Sequence, residues 1–169
     1  NVDVVDIAFA SIGDYFQFRN KEFDKQVGAI INIGEQTTCV SIINKGVLTN
    51  TSTTYLGGSN VTNDIAYIYK IDKEKAKDIK EEFALAHKRM AISAETINIK
   101  NKEEKNISIN QYEVSEVVES RLKEILNLAK KQINVLTKKE ISYIILTGGV
   151  TETKDFNLVA ESIFGKNVT

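Results

Sequence analysis

Short apolar runs broken by glycine and asparagine fill the early part of the chain, and stretches with helical periodicity follow them. Residues 2–9 alternate loosely between apolar and acidic or small side chains, and their β-branched content predicts a strand leading into a short segment over 11–18. Three further strands are predicted at 28–33, 39–43 and 47–55. Gly34 and the Asn44-Lys45-Gly46 turn separate them, so they form a meander. Gly57-Gly58 then breaks the pattern, and Ser59 or Asn60 is positioned to cap a helix carrying Val61, Ile65, Ile68 and Tyr69 on one side. Over 72–90 the residues Ala76, Ile79, Phe83 and Met90 recur at helical spacing among charges, which predicts one amphipathic helix. Alternating segments at 95–100 and 105–110 flank Asn101-Lys102-Glu103-Glu104 and predict an exposed hairpin. The stripe from Val114 through Val118, Leu122, Ile125 and Ala129 to Leu136 predicts a helix of about 25 residues. A buried-type strand at 141–146 ends in Thr147-Gly148-Gly149. A helix through Phe156, Val159, Ala160 and Ile163 follows and stops at Gly165.

At 169 residues and 42% hydrophobic content, the chain has enough apolar material for a sizeable core. Its 22 basic and 23 acidic residues leave a net charge of −1, so no overall field draws it to nucleic acid or to an anionic membrane. The single cysteine, Cys39, cannot form an internal disulfide, and no zinc-type Cys/His spacing accompanies it, which fits a reducing cytoplasm. No apolar run reaches the roughly 18–20 residues of a membrane span. The chain opens on Asn1-Val2-Asp3 rather than on a basic, apolar leader or a methionine, and we read it as a piece of a larger protein. His87 has no Ser, Cys or Asp arrangement around it in sequence and is expected to be structural.

Three glycine-marked turns follow strands, at Gly34, at Gly57-Gly58 and at Gly148-Gly149. In open α/β sheets the carboxyl ends of strands gather along one edge, where glycine-rich turns offer bare backbone donors to a polyphosphate. The pattern predicts a nucleotide cleft. Gly34, Gln36, Thr37, Thr38, Gly57, Gly58, Lys80, Gly148 and Gly149 are its candidate ligand contacts. Each has a structural reading beside the functional one: hairpin tip, strand-to-helix turn, or solvated lysine.

The order of these turns resembles the second half of the actin, Hsp70 and sugar kinase fold. More specific still are Gly-Ala-Ile-Ile-Asn-Ile-Gly at 28–34, Tyr-Leu-Gly-Gly at 55–58, Asn-Val-Thr-Asn-Asp-Ile-Ala at 60–66, Glu-Val-Val-Glu-Ser-Arg at 116–121 and Ile-Leu-Thr-Gly-Gly at 145–149. Together they resemble the FtsA family of bacterial actin-like cell-division proteins. The resemblance implies an α/β, ribonuclease H-like mixed sheet with flanking helices plus a small α+β subdomain. It implies a 2A-like unit over 1–71 and 140–169 and a 2B-like unit over 72–139. It further implies an adaptor that links the FtsZ ring to the membrane at the cytoplasmic face of the division site and self-associates into actin-like filaments. In this reading the 2B-like unit holds the acidic C-terminal peptide of FtsZ, with Arg121 at the position of the family's peptide-binding arginine. ATP with Mg²⁺ is the implied cofactor, bound weakly or structurally, with at most a weak ATPase activity. An active ATPase or phosphotransferase and a nucleotide-free scaffold are the alternatives.

Several positions depart from the family pattern. Asn32, Glu35, Gln36 and Cys39 stand where the second phosphate loop carries its first Asp, two glycines and last Asp. Lys77 replaces an acidic ribose contact, and Asp155 replaces a glycine. Asn32 is not an anionic ligand for hydrated Mg²⁺, and Glu35 sets a like charge beside a phosphate.

Overall fold

A central sheet built from the predicted meander organises the molecule. The computed structural model describes residues 7–18, 22–166 and 168. Strands β1 (Val27–Ile33), β2 (Thr38–Asn44) and β3 (Val47–Thr54) pair antiparallel in succession. Strand β6 (Tyr143–Thr147) joins β1 in parallel, giving the order β3-β2-β1-β6. The β2–β3 turn places Lys45 at φ 52° and Gly46 at φ 79°, the two positive values that a tight twisted hairpin demands.

The nearly continuous apolar run of β1, interrupted at Asn32, follows from burial on both faces. Ala29, Ile31 and Ile33 join a core with α2 (Gly58–Tyr69), α4 (Gln111–Leu136) and α5 (Phe156–Phe164). Ile30 faces the other way and packs with Ile43, Tyr143, Ile145 and Tyr15 of α1 (Ile7–Phe18). The strand expected at 2–9 is therefore corrected over its last part: Ile7 to Phe9 belong to α1, while residues 2–6 lie outside the described residues. A helix here brings the ring of Tyr15 over the sheet, where it is buried.

The single helix expected over 72–90 is also corrected. Helix α3 (Lys73–Asp78) gives way to one π turn, Ile79–Phe83, in which the Ala84 amide donates back to Ile79 O at 2.8 Å. The next residues run extended because distant partners take their amides. Leu85 N donates to Ser115 Oγ at 2.9 Å, and Ala86 N donates to Lys154 O at 2.9 Å. Met90 closes a short 3-10 turn, Lys88–Met90.

The predicted hairpin forms as β4 (Thr96–Lys100) and β5 (Asn106–Asn110), with Asn101 Oδ1 accepting from the amides of Glu103 and Lys105 across the turn. Asn110 Oδ1 caps α4, whose 26 residues bury the expected stripe. The α2 N-cap is Gly57 rather than Ser59 or Asn60; Asn60 acts from inside, its Oδ1 accepting from Gly57 N at 3.0 Å. A 3-10 turn, Gly149–Glu152, precedes α5. The boundaries expected at 71/72 and 139/140 fall in the loops between α2 and α3 and between α4 and β6.

Candidate functional site

The tip of the β1–β2 hairpin lies against the N-terminus of α2. Gly34 N donates to Thr37 O at 2.9 Å and closes the tip; Gly58 N then donates to Gly34 O at 3.0 Å and Ser59 N to Glu35 O at 2.8 Å. These bonds occupy leading amides of α2 that a helix start otherwise offers to an anion. The approach is close enough that a Cβ on Gly57 would stand 2.4 Å from Gly34 O. At the tip itself, the amides of Glu35, Gln36 and Thr37 make no hydrogen bond among the described residues.

Beside this junction lies a cavity of about 290 Å³. Its apolar wall is Val61 of α2, Val118 and Leu122 of α4, and Val150. Its polar wall is Glu35, Lys80, Glu81 and Glu152. The π turn presents Lys80, whose side chain is only 10% exposed, with Nζ 3.5 Å from Glu35 Oε2 and 3.4 Å from Gly58 O. Three carboxylates against one ammonium leave this wall with net negative charge. Glu35 Oε2 also stands 2.7 Å from the point a Cβ on Gly58 would take, so the carboxylate packs onto that bare backbone.

Of the ligand contacts expected from the sequence, Gly58, Lys80 and Gly149 line the cavity, and a Cβ on Gly149 would meet nothing within 4 Å. Gly34 and Gly57 form the junction behind it, and Gln36 and Thr37 sit on the tip outside the lining. Thr38 is buried and its hydroxyl donates to Leu56 O at 2.8 Å. Gly148, at φ 98°, lets β6 pass β1; a Cβ there would lie 2.4 Å from Ile33 O and 2.8 Å from Asn32 Oδ1. Cys39 is buried, with Sγ 3.4 Å from Thr51 Oγ1, and Lys77 lies on the surface 4.0 Å from Glu81. Asp155 precedes α5 at φ 65°. Neutral Asn32 and buried Cys39 do not fit a hydrated Mg²⁺, and no metal-ligating cluster occurs among the described residues. The sequence reading missed Glu81, Glu152 and the share of the α4 stripe that faces the cavity. Glu81 was signalled only by its adjacency to Lys80.

The opposite side of the α2–α4 pair forms a groove of about 480 Å³. Arg121 grips Asp64 with two bonds, Nε to Oδ2 at 2.7 Å and Nη2 to Oδ1 at 2.9 Å, and Nη1 donates to Glu124. Hydrogen bonding to Asp64 holds the guanidinium even more firmly protonated than usual. Val117, Tyr67 and Ile68 supply apolar surface, with Tyr67 86% exposed. The predicted partner residue thus clips α4 to α2 while N–H donors remain on its guanidinium. His87 lies 3.6 Å from buried Glu119, consistent with a structural place.

A mixed sheet with helices on both faces and a cleft between hairpin tip and crossing helices defines an actin-type fold. MreB 5 of Spiroplasma citri bound to AMPPNP superimposes with a TM-score of 0.74 at 20% identity, over 96% of this chain and 51% of that one. The PilM-PilN type IV pilus biogenesis complex matches with a TM-score of 0.66 at 16% identity, over 98% of this chain and 41% of that one. The chain belongs to the cell division protein FtsA family, whose family model matches residues 29–169. It is 32% identical to the cell division protein FtsA of Buchnera aphidicola subsp. Baizongia pistaciae over 80% of this chain and 34% of that protein. It is 26% identical to that of Pseudomonas aeruginosa over 96% of this chain and 40% of the relative. The chain therefore spans well under half the length of these relatives.

Proposed function

We propose that this chain is the part of a cell-division adaptor that couples a nucleotide cleft to docking of FtsZ, and that the whole protein acts at the cytoplasmic face of the membrane. In this reading the adaptor links the FtsZ ring to the membrane and assembles into actin-like filaments. The nucleotide serves as a structural ligand rather than a fuel.

One observation carries the reading: two helices line both sites. Val61 of α2 with Val118 and Leu122 of α4 wall the cavity, while Asp64 and Ile68 of α2 with Val117 and Arg121 of α4 wall the groove behind it. A change in the spacing of the pair alters both. The peptide's apolar side chains would lie on Tyr67, Ile68 and Val117, and its carboxylate or carbonyl oxygens would take the remaining N–H donors of Arg121.

The test is an anisotropy titration of the chain with a labelled peptide from the C-terminus of FtsZ. Wild type binds, and both Arg121→Ala and Tyr67→Ala weaken binding by about tenfold, a usual size for a peptide anchor. Tyr67 is solvent-exposed, so its truncation separates docking from folding. Absence of binding by wild type, or unchanged affinity in both variants, overturns the proposal.

A further inference from the structure

Of the positions that depart from the family pattern, Glu35 lies on the polar wall of the cavity. Lys80 is the only cation among the described residues lining it, and an acidic side chain from the hairpin tip already sits beside it, 3.5 Å away. We infer that the cleft selects its ligand by charge, holding the nucleoside part of a nucleotide while Glu35 turns the polyphosphate part away. This inference rests on the nucleotide-cleft reading above and specifies which part of the ligand the cleft recognises.

Four features of the site support it. Glu35 Oε2 packs against Gly58 at the start of α2, where the helix field favours an anion, so that place is taken by the protein's own carboxylate. The amides of Gly58 and Ser59 donate to the carbonyls of Gly34 and Glu35 and cannot turn to a phosphate without undocking the hairpin. Any anion held by the tip amides of Glu35, Gln36 and Thr37 would have the Glu35 carboxylate as its immediate neighbour, and Glu81 and Glu152 add like charge across the cavity. Finally, Asn32 offers no formal charge to hold a dication that would offset the phosphates.

The rest of the cavity suits a neutral, flat ligand. Gly149 leaves open space within 4 Å of its Cα face, and Val61, Val118, Leu122 and Val150 supply an apolar wall. A volume of about 290 Å³ lies at the small end for a ligand pocket.

The experiment is calorimetric titration of the 169-residue chain with adenosine and with ATP, each with and without Mg²⁺, for wild type and Glu35→Gln. The Glu35 side chain is 53% exposed and Gln keeps its shape, so the fold is retained; a thermal melt checks this. Wild type binds adenosine more tightly than ATP, Mg²⁺ does not reverse the order, and Glu35→Gln tightens ATP by about tenfold or more with adenosine unchanged. An equal shift for both ligands, or a wild type that prefers ATP, overturns charge selection while leaving the nucleotide cleft standing. Binding of neither ligand overturns both.

Discussion

A single methyl group at Gly57 tests whether the hairpin tip is locked to α2 as the hydrogen bonds indicate. The backbone there is extended, at φ −167° and ψ −160°, so alanine meets no conformational penalty and any cost is steric. The new Cβ would stand 2.4 Å from Gly34 O, 2.7 Å from Glu35 O and 2.8 Å from Glu35 C. These are backbone atoms of a closed turn, which cannot swing aside as a side-chain end can. Relief to an ordinary carbon–oxygen separation requires the tip to retreat by about 1 Å. That movement stretches the bonds from Gly58 N and Ser59 N, now 3.0 and 2.8 Å, beyond useful length. Two lost bonds of about 1 kcal/mol each, with a further penalty where Gly58 stays buried, give a loss of about 2–4 kcal/mol. The stiffer unfolded chain of the alanine variant returns only about 0.4–1 kcal/mol.

Urea denaturation followed by circular dichroism measures this loss, and hydrogen exchange locates it. Gly57→Ala is expected to be about 2–3 kcal/mol less stable than wild type, with faster exchange at the Gly58 and Ser59 amides. Gly149→Ala is the matched control: its Cβ meets nothing within 4 Å, so its stability stays within about 0.5 kcal/mol of wild type. A Gly57→Ala protein as stable as that control would refute the docked geometry.

Two other substitutions probe what holds the frame. Gly28→Ala drives a methyl to 2.1 Å from the Tyr143 ring, which is stacked on Phe23 at 4.0 Å, so a loss of about 1–3 kcal/mol is expected in thermal melts, and Tyr143→Leu in the same chain should recover part of it. Glu119 is buried; burial raises its carboxyl, but hydrogen bonds from Lys123 Nζ at 2.6 Å and Lys88 N at 2.7 Å outweigh this and hold it below the usual value. A lowered carboxyl stabilises the fold above its unfolded value and loses that contribution as pH falls through the folded value. Wild type should therefore lose stability below about pH 4.5 more steeply than Glu119→Gln, and parallel curves from pH 5 to 3 would contradict the assignment.

Much of this fold was legible because its signals are local. The run at 28–33 reads as an apolar strand, Asn44-Lys45-Gly46 reads as a tight turn, and the α4 stripe repeats over 26 residues. Residues 72–90 were not legible in the same way. Their apolar spacing is genuine, yet Leu85 bonds to Ser115, 30 residues away, and these distant partners draw the chain out of the helix after one π turn. The strand expected at 2–9 failed over Ile7 to Phe9 for a related reason, since Tyr15 of α1 packs on a sheet surface that exists only once β1, β2 and β6 have assembled.

The site divides along the same line. The residues at 32, 35, 36 and 39 are visible in the sequence, but their meaning depends on pairings that span it. Alone, Glu35 is a like charge placed near a phosphate. Paired with Lys80, 45 residues away, it becomes an internal competitor for the cation that would attract that phosphate. Neutralising Glu35 therefore has two effects of the same sign: it removes a repulsion and releases the Lys80 ammonium to face the cavity. Neither effect reaches a neutral nucleoside resting on Val61, Val118 and Leu122. One substitution should thus separate the two ends of a nucleotide. Arg121 poses the converse case: its bidentate bond to Asp64, 57 residues away, makes it first a clip between helices, so its truncation must be judged beside Tyr67→Ala, which leaves the clip intact.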